Sequence, residues 1–70
     1  MSDDELIGAA VRTYLQAGGR ILPVKDVSEV RIDAKRRRYV VLANMNAVLE
    51  VYRLDPGGKL RPAKNYPPRP

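Results

Sequence analysis

Seventy residues, with 13 Lys and Arg against 8 Asp and Glu and neither Cys nor His, make a single basic domain at most. That composition excludes disulfides, the common zinc-ligand sets and any Ser–His or Cys–His nucleophile. No apolar run reaches the roughly 18 residues a membrane span needs, and the acidic start Met1-Ser2-Asp3-Asp4-Glu5 is the reverse of a secretory leader, so a cytoplasmic protein is expected.

Residues 2–16 read as a helix. Ser2 and Glu5 fit a capping box, and Asp3, Asp4 and Glu5 place negative charge at the positive end of the helix dipole. Leu6, Ile7, Ala10, Val11, Tyr14 and Leu15 recur at helical spacing and form one apolar stripe. Gly18-Gly19 ends the helix. Residues 20–25 then form an edge strand or an extended link, because Pro23 cannot donate to a central ladder.

Three strands follow, over residues 27–33, 38–43 and 47–54. A polar connection at 34–37 and turn residues at 44–46 separate them. Asp55-Pro56-Gly57-Gly58 closes the third, and residues 59–61 can supply a short fourth. The expected fold is α+β, an N-terminal helix packed on a three- to four-stranded antiparallel β-meander. Residues 1–61 form that domain. Residues 62–70, basic and with four prolines, are expected to be a disordered tail.

Register decides what each sheet face carries. A two-residue turn at Met45-Asn46 sets Ala43 against Val48, Leu42 against Leu49, Val40 against Val51 and Tyr39 against Tyr52. Val40, Leu42, Leu49 and Val51 then share one face, with Val30 and Ile32 joining them, and the helix is expected there. The other face carries Tyr39, Val41, Ala43, Val48, Glu50 and Tyr52 beside Arg31. One helix cannot cover two faces, so this second face is expected to remain open as an interaction surface.

The charge is uneven. Residues 1–33 hold four basic and six acidic side chains, whereas residues 34–70 hold nine basic and two acidic. The basic run Lys35-Arg36-Arg37-Arg38 lies in a hairpin connection, where cations can bind phosphate by counterion release. Arg31, Lys35, Arg36, Arg37, Arg38, Tyr39 and Tyr52 are therefore the candidate contact residues for a nucleic-acid or other anionic partner. Gly57-Gly58-Lys59-Leu60 lacks the spacing and hydroxyl of a phosphate loop, and Glu29, Asp33 and Glu50 read as strand carboxylates paired with cations. No cofactor, metal or catalytic residue is expected. Lys64-x-x-Pro67-x-x-Pro70 matches a short polyproline-ligand pattern of low specificity. The sequence thus predicts a small non-catalytic binding protein, expected to be a homodimer, that contacts nucleic acid through the tyrosine-bearing sheet face and the basic hairpin. The alternative is a protein–protein module or homodimer without a nucleic-acid partner.

Overall fold

The computed structural model describes residues 2–68. Its element order is α1 (Asp3–Gln16), a single 3-10 turn (Lys25–Val27), β1 (Glu29–Ile32), β2 (Arg38–Ala43), β3 (Val48–Leu54) and β4 (Leu60–Pro62). The strands form one antiparallel sheet in the order β1-β2-β3-β4, a meander in which each strand pairs with its chain neighbours. The α+β architecture expected from the sequence is therefore present.

α1 starts where its chemistry allows. The Ser2 hydroxyl accepts from the Glu5 amide, and the Glu5 carboxylate accepts from the Ser2 amide, so two otherwise free donors are satisfied. The same contact with Ser2 holds the Glu5 carboxyl below its ordinary value. At the other end the chain turns through Gly18, at a φ of 96°. Gly19 lies against the Tyr14 ring so closely that a side chain there would collide with it.

The link after α1 is extended, and the Val24 amide donates to the Ala43 carbonyl at 2.8 Å. Ser28 is buried beside it. Its hydroxyl donates to the Val24 carbonyl and accepts from the Ala43 amide, which ties the link to the end of β2.

The register departs from the sequence expectation at one point. Ala43 does pair with Val48 across the 44–47 turn, but Leu42 then pairs with Glu50, not Leu49. One extra residue on β3 makes a β-bulge, and it inverts the parity of everything beyond it. Tyr39 consequently faces Arg53 and Val40 faces Tyr52. The expected Tyr39–Tyr52 pair does not form.

Two packed clusters result. Leu6, Ile7 and Ala10 of α1 bury against Val40, Leu42 and Tyr52, with Val11, Tyr14, Val30, Leu54 and Leu60 around them. Burial pushes the Tyr52 phenol upward, and Glu50 and Tyr14 nearby push it the same way. On the opposite face Tyr39, Val41 and Val51 form a second cluster with Ala63.

That second face is covered by the chain itself. The Ala63 amide donates to the Val51 carbonyl at 2.9 Å, and the segment then crosses to β1. There the Arg31 guanidinium lies 4.8 Å from the centre of the Tyr66 ring and donates to the Pro67 carbonyl at 3.1 Å. The expected open tyrosine face is thus overturned twice, once by the bulge and once by residues 63–67. Those residues carry no regular element, yet they do not have the independence expected of a disordered tail. Arg69 and Pro70, with the end of the polyproline pattern, lie outside the described residues.

Candidate functional site

The seven residues singled out in the sequence do not converge. Tyr52 sits under the helix and Tyr39 under the C-terminal segment, each less than a tenth exposed. The Tyr39 hydroxyl donates to the Asp33 carboxylate at 3.3 Å. Arg31 pairs with Glu29 at 2.5 Å and holds Tyr66 and Pro67. These three residues are structural. What remains is the basic turn, and the structure gives it a neighbour that sequence reading missed.

A meander places its first and third turns at the same end of the sheet. Here the β1–β2 turn, residues 33–37, lies beside the β3–β4 turn, residues 55–59, and the two are built alike. Asp33 accepts the Lys35 and Arg37 amides on one carboxylate oxygen and the Arg37 guanidinium on the other. Asp55 accepts the Lys59 amide on one oxygen and the Arg61 guanidinium on the other. Backbone bonds close each turn in the same way: Asp33 N to Arg37 O with Arg36 N to Asp33 O, and Asp55 N to Lys59 O with Gly58 N to Asp55 O. This is a three-residue hairpin loop whose last residue is left-handed.

The acids are consumed by this construction. Burial pushes Asp33 upward, but the Arg37 and Lys35 amides and the Arg37 guanidinium outweigh it and hold its carboxyl below the ordinary value. Asp55 is lowered chiefly by the Arg61 guanidinium, then by the Lys59 amide. Asp33 in turn raises the Arg37 guanidinium. Arg38 reaches the other way and binds Asp3 at 2.7 Å, which pins the β2 end to the start of α1.

One position differs between the twin turns. Gly58 stands at the left-handed position of the second, with a φ of 85°, where glycine is at ease. Arg36 stands at the equivalent position of the first, with a φ of 62°, and is the single non-glycine residue of positive φ among those described. A Cβ in that conformation costs about 1–2 kcal/mol. Arg36 is exposed and, like Arg53, makes no ion pair among the described residues.

Arg36, Arg37, Arg38, Arg53, Leu54, Asp55 and Pro56 line a cleft of about 390 Å³ between the two turns. Four arginines line it: Arg37 is held by Asp33 and Arg38 by Asp3, Arg36 and Arg53 make no ion pair among the described residues, and the lining carboxylate Asp55 is held by Arg61. Comparison with protein-family models, with curated proteins and with solved structures finds no match to this chain. The cleft must therefore be read from its chemistry. It offers fork-shaped donors and positive charge to an anion, and guanidinium forks match phosphate oxygens in geometry. Among the described residues it offers no acid–base pair free of a structural partner. Among the described residues no group of three or more potential ligands could hold a metal ion, and no helix is long and apolar enough to cross a membrane.

Sequence reading found Lys35, Arg36, Arg37 and Arg38 but not Arg53, Leu54 or Pro56. The adjacency of the turns was available from topology alone, since alternate turns of any meander share an end.

Proposed function

We propose that this chain is a non-catalytic binding module whose arginine cleft, at the twin-turn end of the sheet, holds the phosphate backbone of a nucleic acid. The observation that carries the reading is Arg36. It occupies a strained left-handed position where the twin turn uses glycine, it has no ion-pair partner among the described residues, and it opens onto three further arginines. Backbone strain held at one exposed cation is an expense that folding does not require, and strain of this kind gathers at functional positions. Lys35 stands beside it on the same turn. Arg31, Tyr39 and Tyr52 have no part in this reading.

The test is a salt titration of binding to a labelled oligonucleotide, read by fluorescence anisotropy. Arg36→Gln combined with Arg53→Gln removes two phosphate contacts and leaves Asp33, Asp55 and Asp3 with their partners. The slope of log K against log salt is expected to shrink by about 0.7–0.9 per contact removed. A double variant that binds with unchanged affinity and unchanged slope overturns the proposal.

A second reading rests on the opposite end of the molecule. Ile21, Leu22, Met45 and Val48 are all exposed there, between the link after α1 and the 44–47 turn, and apolar groups gathered on a surface favour association. Self-association through that end would be seen as concentration-dependent mass in sedimentation. Leu22→Asp with Met45→Asp should restore the monomer mass, and a wild-type chain that is monomeric at all concentrations removes this reading.

A further inference from the structure

A second concavity adjoins the arginine cleft. Leu6, Ala9 and Thr13 of α1 and Leu54, Gly58, Lys59 and Leu60 of the β3–β4 hairpin enclose a groove of about 350 Å³. Leu54 lines both this groove and the arginine cleft. The two concavities therefore adjoin, with arginines among the lining of one and aliphatic side chains lining the other. Among the described residues no carboxylate lines the groove, and the one charged residue that does is Lys59. The Thr13 hydroxyl donates to the Ala9 carbonyl and keeps its acceptor lone pairs for a ligand.

We infer that these adjoining concavities bind single-stranded nucleic acid, with an unpaired base against Leu54 and Leu60 in the groove and the adjoining phosphate on Arg36 and Arg53. The inference rests on the phosphate-binding reading above and deepens it. The groove falls in the size range of small-ligand pockets, and its lining is apolar with a cation at the rim, which suits a base attached to a phosphate. A duplex keeps its bases paired and stacked, and turning one out costs a few kcal/mol. A single strand presents its bases without that cost. The walls are leucine, alanine and threonine methyl groups, which pack against any base, so little sequence preference follows.

The experiment compares a single-stranded oligothymidine with a duplex of equal phosphate number, by anisotropy at matched salt. Ala9→Leu fills the groove while keeping the helix and the arginines. Wild type is expected to favour the single strand. Ala9→Leu should lose about tenfold in single-strand affinity, the scale of one base contact, while its salt slope stays that of wild type. Methyl NMR of the unmodified chain supplies a readout independent of the variant: the leucine methyl signals of Leu54 and Leu60 should move when oligothymidine is added. Equal affinity for both nucleic acids, or leucine methyls that stay in place while the arginine signals move, overturns the groove and leaves the phosphate reading standing. Failure to bind either nucleic acid overturns both.

Discussion

Replacing Arg36 by glycine separates what the fold needs from what the cleft needs. The left-handed backbone at Arg36 costs about 1–2 kcal/mol for a residue with a Cβ. Glycine removes that strain but adds freedom to the unfolded chain, a loss of about 0.5–1 kcal/mol. No ion pair of Arg36 offsets the change among the described residues. Arg36→Gly is therefore expected to stabilise the chain by about 0.5–1 kcal/mol, which for a domain of this size is a rise of roughly 2–8 °C in Tm. The twin turn supplies the reciprocal. Gly58 has a φ of 85° with open space around the position of a Cβ, so Gly58→Ala feels the backbone cost alone and should lose about 1 kcal/mol. Urea melts measure both. The same Arg36→Gly protein should bind oligonucleotides more weakly and with a shallower salt dependence, although it is the more stable molecule. A variant that is less stable than wild type, or one that is more stable and binds equally well, refutes the argument that strain is kept here for the sake of the cation.

Three other outcomes follow from the packing. Leu42→Ala empties a fully buried site between the sheet and α1 and should cost about 2–5 kcal/mol, a large share of the roughly 4–10 kcal/mol expected for a chain of this length; a urea melt within 1 kcal/mol of wild type would contradict the core assignment, the threshold being about half the smallest expected loss. Ending the chain after Pro62 uncovers Tyr39, Val41 and Val51, so hydrogen exchange at the Val41 and Val51 amides should accelerate and an apolar dye should bind; unchanged protection would mean that the C-terminal segment does not cover the face. Asp33 and Asp55 both have folded pKa values below the ordinary one. The folded state therefore takes up these protons less readily than the unfolded state, and their contribution is present above about pH 4 and lost as pH falls through the lowered values. Unfolding followed from pH 5 downward should show a shallower acid loss for Asp33→Asn with Asp55→Asn than for wild type, and parallel curves would count against the two carboxylates as the source.

Much of the fold is legible in the residues because local signals and tertiary demand agree. The Ser2–Glu5 box and the stripe of Leu6, Ile7 and Ala10 describe α1 and the face it buries. The turn at 44–47 is also as the asparagines suggest, with the Asn44 carboxamide accepting the Asn46 and Ala47 amides. The failure lies one residue further on. Val48-Leu49-Glu50-Val51 has apolar side chains of both parities, so alternation does not choose between a straight ladder and a bulged one. The bulge puts Tyr52 and Leu54 on the helix side, where α1 meets them, and sends Val51 to join Tyr39 and Val41. The C-terminal segment misled for a different reason. Its composition offers little to bury, but it needs to bury little: Ala63 fills a small gap, and Arg31 holds Tyr66 and Pro67 with groups that composition counts as polar or neutral.

The same bulge that closes the tyrosine face also resets Arg53. A straight ladder would set Arg53 opposite Arg38; the bulged one sets it opposite Tyr39, one residue further along β2 from the β1–β2 turn. Around this end Asp3, Asp33 and Asp55 each face an arginine, and two of the three also cap turn amides. Their charge is spent on geometry. Lys35, Arg36, Arg53 and Lys59 make no ion pair among the described residues, so four unpaired cations share this end, while Arg12, Arg20, Lys25 and Lys64 are unpaired in α1, the link after it and the C-terminal segment. Surface charges interact over about 8 Å at physiological salt. A cluster within that reach attracts a polyanion as a unit, where the same charges dispersed would act singly. Composition alone does not show four unpaired cations at one end; the paired turns, with their aspartates turned inward on backbone amides, do.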